Sequence, residues 1–150
     1  MSKEKIILVG GGGHCKSCID VIEQQGKFDI YGIIDLPEKQ GEKILGYEII
    51  GTDEDIPVLA KEFKYFHVTV GFIRTPDIRN KLYSKLKLLN VQLPVLVSPF
   101  SYISPHASIS EGTIIMHQVV INADARIGSI SIVNNKALIE HDAIIGDNCH

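Results

Sequence analysis

The sequence predicts two structural parts, a small doubly wound α/β domain over residues 1–98 and a parallel β-helix over residues 99–150. Three observations support this prediction. Apolar runs alternate with helical patterns in the first part, and the glycine-rich segment GGGGHC lies between the first run and the first helical pattern. After Pro99, an aliphatic residue recurs at every sixth position.

The α/β part begins as a strand, a loop, a helix and a second strand. The apolar run IILV follows Lys5, residues 10–13 are all glycine, and a second apolar run, DIYGIID, ends on Asp35. Apolar residues at helical spacing lie between the two runs, before Gly26: Cys18, Ile19, Val21 and Ile22. Two parallel strands joined by a helix require a right-handed crossover.

Three later runs complete the α/β part. FHVTV ends at Gly71 and reads as a strand, and LPVLV, residues 93–97, reads as the last strand of the sheet. The segment PDIRNKLYSKLKLLN between them carries apolar residues at helical spacing: Ile78, Leu82, Leu86 and Leu89.

The second part has a period of six residues. Ile or Val occupies every sixth position: Ile103, Ile109, Ile115, Ile121, Ile127, Val133, Ile139 and Ile145. The fifth position of each repeat is mostly small: Ala107, Thr113, Val119, Ala125, Ser131, Ala137, Ala143 and Cys149. In a triangular prism each repeat forms one face, so the aliphatic side chain points inward and the small one fits the corner. Eight repeats give a little under three coils.

Composition argues against several classes of partner. The net charge of −3 and the pI near 6.0 provide no basic stripe for nucleic acid. No apolar run approaches the roughly 18 residues of a membrane span, and no signal peptide precedes the first strand, so we predict a cytoplasmic protein without membrane insertion. Three cysteines without framework spacing indicate reduced thiols.

Three motifs resemble one family of enzymes. The loop from Gly10 to His14 matches its G-x-x-G-H motif, Asp35 its acid after the second strand, and NNKALIEHDAIIGDNCH its catalytic coil. The sequence thereby resembles the bacterial sugar O- and N-acyltransferases of the NeuD/PglD type, which include sialic acid O-acetyltransferases and UDP-4-amino-sugar N-acetyltransferases. The resemblance implies a Rossmann-like nucleotide-sugar-binding domain followed by a left-handed β-helix acyltransferase domain that binds acetyl-CoA.

The resemblance assigns His141 as the general base and Asp142 as the acid that modulates it. A base is needed because an attacking amine or hydroxyl must lose a proton, and histidine titrates in the useful pH range. A neighbouring carboxylate favours the imidazolium form. The alternative is that both are solvated residues at a corner of the prism.

The repeat length also relates distant residues to one another. His150 lies nine residues after His141, half of an eighteen-residue coil, so the two side chains leave the prism on opposite sides. Asn134 lies sixteen residues before His150 and stacks on nearly the same edge. We therefore predict a homotrimer in which His141 of one subunit faces Asn134 and His150 of its neighbour. The resemblance implies that Asn134 approaches the acceptor sugar and His150 the acetyl-CoA.

The glycine loop favours phosphate because exposed N–H groups and a helix dipole converge there. The dinucleotide fingerprint G-x-G-x-x-G is met at Gly10 and Gly12 but has Cys15 at its third position, which disfavours NAD. The resemblance implies a UDP-sugar or a sialic-acid-like sugar as ligand, with these substrate-binding residues: Gly10, Gly13, His14, Asp35 and Gly71. The alternative is a tight turn without a ligand.

The remaining cysteines and histidines point to neither redox chemistry nor a metal. Cys15-x-x-Cys18 lacks a thioredoxin-like setting, and the six histidines show no ligand spacing, so no metal is expected. His67 is interpreted as structural, and His106 and His117 as exposed corners of the β-helix.

Together these features predict an acetyl-CoA-dependent acetyltransferase for surface glycan synthesis, acting on an amino group of a nucleotide-linked sugar or a hydroxyl of a sialic-acid-like sugar. Family members carry further coils, so the resemblance implies a form shortened at the C-terminus. One alternative is a non-catalytic module for nucleotide-sugar binding and trimerisation. An NAD-dependent reductase is disfavoured because no Tyr-x-x-x-Lys pair stands in a suitable place.

Overall fold

The structure is a computed structural model that describes residues 2–72 and 75–150. The chain divides into two compact units, Met1–Leu93 and Pro94–His150. Within the described ranges, no helix combines the length and the apolar character that crossing a membrane requires.

A five-stranded sheet forms the centre of the first unit. Its strands in chain order are β1 (Glu4–Val9), β2 (Phe28–Ile34), β3 (Lys43–Ile44), β4 (Tyr47–Gly51) and β5 (Tyr65–Val68). Their spatial order is β3-β4-β2-β1-β5, and β1 pairs in parallel with both β2 and β5. Only the β3–β4 pair is antiparallel among the pairings described. This order is that of a Rossmann-like sheet and confirms the predicted fold class.

In the described part of this unit, three helices accompany the sheet: α1 (Gly13–Gln25), α2 (Ile56–Glu62) and α3 (Asp77–Leu88). Short 3-10 turns lie at Pro37–Lys39 and Asp53–Asp55. Helix α1 ends where predicted, at Gly26, whose φ of 72° places it in the left-handed region that glycine tolerates. The elements β3, β4 and α2 were not predicted.

Helix α3 buries a face that differs from the predicted one. Ile78 was expected in the core but is exposed, whereas Arg79, Leu82 and Leu86 are buried. The spacing i, i+3, i+7 satisfies a helical face as well as the spacing i, i+4, i+8 does. The burial of an arginine is therefore a structural finding that hydrophobic spacing alone did not indicate.

The predicted last strand of the α/β sheet, residues 93–97, is wrong. Leu96–Val97 does form a strand, β6, but it pairs in parallel with Ile114–Ile115 of the second unit. The pairing partner lies eighteen residues later, which is one coil of the β-helix. Val97 also lies six residues before Ile103, so the six-residue pattern already begins at Val97.

The second unit is a left-handed parallel β-helix built from two-residue strands. After β6 these are β7 (Tyr102–Ile103), β8 (Ser108–Ile109), β9 (Ile114–Ile115), β10 (Val120–Ile121), β11 (Arg126–Ile127), β12 (Ile132–Val133), β13 (Leu138–Ile139) and β14 (Ile144–Ile145). They stack as three sheets, β6-β9-β12, β7-β10-β13 and β8-β11-β14. Every pairing joins residues eighteen apart, so each sheet is one face of the predicted prism.

The six-residue aliphatic positions fill the interior of the prism, as predicted. The buried members of this core are Ile115, Val119, Ile121, Ala125, Ile127 and Val133. The small fifth-position residues Val119 and Ala125 lie among the aliphatic ones, which confirms the expected packing. Because each coil buries its core against the next, the stack is held by apolar contacts between coils.

The corners of the prism also repeat every six residues. A residue with positive φ occupies each one from position 112: Gly112, Gln118, Asp124, Ile130, Lys136, Asp142 and Asn148. At the last four of these corners the N–H donates to the carbonyl oxygen nineteen residues earlier, as from Lys136 to His117 at 3.0 Å and from Asp142 to Ala123 at 3.1 Å. The coil below thus satisfies the backbone N–H of these four sharp turns.

Candidate active site

His141 and Asp142 form a hydrogen-bonded pair at the corner between β13 and β14, here called the His141 corner. His141 Nδ1 lies 2.8 Å from Asp142 Oδ2, and the two side chains are 73% and 71% exposed. The hydrogen bond that Asp142 accepts from His141, followed by the charge of the carboxylate, raises the pKa of His141. Because Nδ1 donates to the carboxylate, the neutral ring keeps its lone pair on Nε2. This arrangement is suited to removing a proton from a bound group.

Asp142 owes its backbone conformation to the corner, but the pairing with histidine is particular to this coil. Its φ of 62° belongs to a series that recurs at every corner, and Asp124 holds the same place one coil earlier with a φ of 60°. The residue before Asp124 is Ala123, whereas His141 precedes Asp142. The repeat therefore explains the backbone conformation of Asp142 but not the pairing of its carboxylate with an imidazole.

Asn134 and His150 lie together, as their spacing predicts. Asn134 follows β12, and its Nδ2 lies 3.4 Å from His150 Nε2. Asn134 Oδ1 accepts the N–H of Asn135 at 2.8 Å, so the amide nitrogen is the atom that faces His150. The corner between β12 and β13, here called the Asn134 corner, is distinct from the His141 corner.

His117 extends the Asn134 corner by one coil and departs from its predicted exposure. The ring is half-buried rather than exposed, and Ser98 Oγ lies 2.6 Å from its Nδ1. The His117 N–H donates to Asn135 Oδ1 at 2.9 Å. These bonds fix the loop that carries Asn134. His106, in contrast, is exposed as predicted.

The glycine loop of the first unit joins β1 to α1. Gly10 has a φ of 122°, and a Cβ built there would lie 2.5 Å from Val70 Cγ2, so the position requires glycine. A Cβ on Gly12 or Gly13 would meet nothing within 4 Å, so the surface beside them is open. Helix α1 starts at Gly13 without a side-chain cap, which leaves its first N–H groups to other partners.

Asp35 lies beside this loop at the end of β2. A Cβ on Gly11 would lie 2.6 Å from Asp35 Oδ2, which places the carboxylate against the glycines. Oδ1 accepts the N–H of Leu36, while Oδ2 is buried and has no hydrogen-bond partner in residues 2–72 and 75–150, Lys39 Nζ being 3.7 Å away. A buried carboxylate oxygen in this state has the capacity to accept a ligand hydroxyl.

His14 and Gly71 are also brought together. A Cβ on Gly71 would lie 3.1 Å from His14 Cβ, so the glycine permits close approach of the two segments. His14 Nε2 lies 3.2 Å from Cys18 Sγ, a contact between residues four apart on α1. The structure thus gathers the sequence-predicted residues of this unit around one end of the sheet.

Beneath the loop lies a buried polar cluster that sequence reasoning missed, formed by Cys15, Cys18, His67, Thr69 and Arg79. Both ring nitrogens of His67 are buried without a hydrogen-bond partner among the residues described. Burial first, and then the charge of Arg79, lowers the pKa of His67 to about 3, so the ring is neutral. The interpretation of His67 as structural agrees with this burial.

The two cysteines of the cluster are thiols rather than thiolates. Burial raises the pKa of Cys15 to about 11, and burial raises the pKa of Cys18 further. Both are free. A redox role needs an accessible thiolate, so these positions disfavour it. In the described parts of the chain, no three His, Cys, Asp or Glu side chains are grouped so that they could hold a metal ion.

Comparison with known proteins places this geometry in context. The family model of the PglD N-terminal domain matches residues 5–86, more than half of the chain. Among solved structures, the chain is similar to a histidine-to-asparagine mutant of perosamine N-acetyltransferase from Caulobacter crescentus in complex with CoA and GDP-perosamine, with a TM-score of 0.87 and 29% identity. That match covers 95% of this chain and 65% of the other.

A second similar structure is the acetyltransferase domain of PglB from Neisseria gonorrhoeae FA1090. Its TM-score is 0.86 at 28% identity, over 97% of this chain and 69% of the other. The same domain in complex with acetyl coenzyme A matches with a TM-score of 0.80. This chain therefore spans about two thirds of the length of these proteins. Since this family model matches more than half of the chain, the chain belongs to the family of proteins that carry a PglD N-terminal domain.

Proposed function

We propose that this protein transfers the acetyl group of acetyl-CoA to an amino group of a nucleotide-linked amino sugar. The observation that carries the proposal is the 2.8 Å pair of His141 and Asp142 on a β-helix corner. The similar structures support the class of reaction, because one is a perosamine N-acetyltransferase described with CoA and GDP-perosamine and another is an acetyltransferase domain described with acetyl coenzyme A. In two of them a single histidine has been replaced, by asparagine or by alanine.

His141 acts as the general base in this proposal. The acceptor nitrogen attacks the thioester carbonyl carbon, and His141 Nε2 takes a proton from that nitrogen. The C–S bond then breaks, and the imidazolium gives the proton to the departing thiolate, so that CoA leaves as the thiol and His141 is neutral again. Asp142 holds Nδ1–H and stabilises the imidazolium that forms. This role is compatible with the position of Asp142 at a corner. Its backbone forms the turn, and its side-chain carboxylate is free to accept from the imidazole.

We propose that the glycine loop binds the diphosphate of the sugar nucleotide. Gly10 and Gly13 shape the loop, the open N-terminus of α1 favours the phosphate charge, and His14 and Gly71 border it. The buried Oδ2 of Asp35 is suited to a hydroxyl of the ligand. The proposed roles of the two units follow: nucleotide-sugar binding for Met1–Leu93 and acyl transfer for Pro94–His150, a boundary five residues earlier than the one predicted from the sequence.

The second unit supports a homotrimer in which the active site lies between subunits. The sheet β7-β10-β13 lies between the Asn134 corner and the His141 corner, and it exposes Tyr102, Val120 and Leu138 in register. If three prisms turn this apolar face toward a common axis, one edge of each meets the other edge of its neighbour. The contact is heterologous and closes after three copies. It would bring His141 of one subunit to Asn134 and His150 of the next.

The test is acceptor-dependent release of thiol from acetyl-CoA. Candidate acceptors are a UDP-4-amino-sugar, GDP-perosamine and a sialic acid. Release with one of the amino sugars, lowered by roughly 10²- to 10⁴-fold in His141→Ala, is expected. His106→Ala is the matched control, because His106 is an exposed histidine two coils earlier on the same edge of the prism. Equal losses in both variants would contradict the role of His141.

A non-catalytic module is the second candidate function. It keeps the glycine loop and Asp35 for a nucleotide sugar and uses the β-helix only for assembly. The exposure of His141 and Asp142 is the observation that favours it, because a solvated corner pair needs no reaction to explain it. Binding of a sugar nucleotide without any release of thiol would establish this function, and release with sialic acid alone would identify an O-acetyltransferase.

A further inference from the structure

Arg79 is a charged side chain that the proposed mechanism leaves unused. It lies on α3 with 1% of its surface exposed. Its Nη1 donates to the carbonyl oxygen of Val70 at 2.5 Å and to that of Val68 at 3.4 Å. Burial of a charged group costs free energy unless nearby dipoles and charges offset the cost. These carbonyls provide part of that compensation and tie Arg79 to the end of β5.

The segment that Arg79 holds also supports the glycine loop. Thr69 Oγ1 donates to the carbonyl oxygen of Gly10 at 2.6 Å, and the Thr69 N–H donates to that of Val9 at 2.9 Å. Val70 N would lie 2.7 Å from a Cβ at Gly10, so the two backbones are in direct contact. The two carbonyls that accept from Arg79 therefore belong to the residues on either side of Thr69, which donates to Gly10.

Water does not screen the charge of Arg79, because the side chain is buried. Burial lowers its pKa to about 10, which leaves the guanidinium protonated at neutral pH. Cys18 and His67 interact electrostatically with Arg79, and both are uncharged: Cys18 is a thiol and His67 is a neutral ring. A positive charge in a low-dielectric interior acts over a longer range than one on the surface. It adds to the positive end of the α1 dipole, which lies at the same loop.

We infer that Arg79 is a positioning residue that supplies a buried positive charge to the glycine loop and thereby stabilises a bound diphosphate without contacting it. The inference rests on the proposed function, since the diphosphate is that of the sugar nucleotide. The guanidinium acts through residues 68–70 and through its electrostatic field, because it donates to the carbonyls on either side of Thr69 and Thr69 in turn donates to Gly10. An anion on the loop in turn offsets part of the cost of burying Arg79.

Two substitutions separate the charge from the hydrogen bonds. Arg79→Lys keeps the charge, whereas Arg79→Gln keeps a donor for Val70 and removes the charge. Calorimetric titration with UDP and GDP is expected to show affinity about tenfold or more weaker in Arg79→Gln, and affinity closer to wild type in Arg79→Lys. Uridine and guanosine, which lack phosphate, should bind each variant with the same affinity as they bind wild type. Lys81→Gln is the matched control, because it removes an exposed and screened cation from the same helix.

The outcomes are distinct. If folded Arg79→Gln binds UDP or GDP as wild type does, the inference is wrong while nucleotide binding stands. If wild type binds neither diphosphate, the inference and the nucleotide-sugar part of the proposed function fail together. If Arg79→Gln does not fold, Arg79→Lys provides the test. A folded lysine variant whose affinities for the diphosphates and for the nucleosides fall by the same factor would indicate a structural role alone and would overturn the inference.

Discussion

The two units hold their polar side chains in opposite ways. In the first, Cys18, His67 and Arg79 are buried beneath a loop of glycines. In the second, His141 and Asp142 stand on a corner, about three quarters exposed. The buried groups have their protonation fixed by the protein, as thiol, neutral ring and guanidinium. In the exposed pair, the hydrogen bond to Asp142 and the charge of its carboxylate raise the pKa of His141.

This difference separates stability from activity. A buried group is constrained by its packing, so its replacement affects folding first. An exposed group is constrained by one neighbour, so its replacement should affect chemistry first. It also follows that the His141 corner needs a ligand or a second subunit to exclude water, since electrostatic effects are weak in a fully solvated site.

The largest contrast in stability should appear within the β-helix. Ile121→Ala removes a fully buried core side chain and is expected to lower the free energy of unfolding by about 2–5 kcal/mol. His141→Ala should leave it nearly unchanged, because the side chain is exposed. Urea unfolding followed by circular dichroism measures both. Comparable losses would mean that the His141 corner contributes to the fold.

The second contrast concerns the pH dependence of stability. The folded pKa of His67, about 3, lies below that of an unfolded histidine, so the unfolded chain binds more protons between about pH 6.5 and 3. Stability due to His67 is therefore present above about pH 6.5 and is lost as the pH falls. His67→Leu should flatten the dependence in this window by up to about 1.4 kcal/mol per pH unit.

His141 provides the matched comparison for that experiment. Its folded pKa is raised, so its contribution is present at low pH and is lost as the pH rises through the folded value. His141→Leu should therefore change the slope in the opposite direction to His67→Leu. Unfolding measured at a series of pH values would contradict the assignments if both variants changed the slope in the same sense.

The pair itself is tested by the pH dependence of the reaction. Asp142→Asn removes the carboxylate that raises the pKa of His141, so the rise of kcat/KM with pH should move to lower pH. The maximal rate should fall less than in His141→Ala, since the base remains. Asp124→Asn is the control from the equivalent corner one coil earlier. A rise that stays in place in Asp142→Asn would show that Asp142 does not act on the base.

The sequence predicted the β-helix better than the α/β unit for a physical reason. Each coil repeats the same contacts, so one six-residue frame specifies the inward positions from Ile103 to Ile145. In the α/β unit, a short apolar run such as residues 93–97 fits a buried strand of either unit. The continuation of the six-residue frame to Val97 was the signal that assigns it to the β-helix.

The candidate residues were predictable where chemistry and spacing coincide. The pairing of Asn134 with His150 follows from the length of a coil, and the contact of Gly71 with His14 agrees with their shared assignment. Arg79 was not predicted, because arginine on a helix is normally solvated and the neighbouring Ile78 fits the same spacing. Its burial depends on the path of β5 and its carbonyls, which no local pattern specifies.

The smallest change in stability should come from substitutions at the corners of the prism, because these act through the backbone conformation and not through the burial of a side chain. Gln118 is exposed with a φ of 58°, a conformation that costs a residue with a Cβ roughly 1–2 kcal/mol. Gln118→Gly removes this cost but gains unfolded-state entropy, so a net stabilisation of up to about 1 kcal/mol is expected.

Gly112→Ala reverses the change at an equivalent corner. Gly112 has a φ of 73°, and an added Cβ would lie 2.7 Å from Ile130 Cγ2, so this variant should be destabilised. Thermal unfolding of both variants measures the pair. Asp142 has nearly the same backbone conformation as Gln118, with a φ of 62°. A stabilised Gln118→Gly would therefore indicate that a side chain at the His141 corner also has a local backbone cost. The interaction of the Asp142 carboxylate with His141 would then be the reason for an aspartate rather than a glycine there.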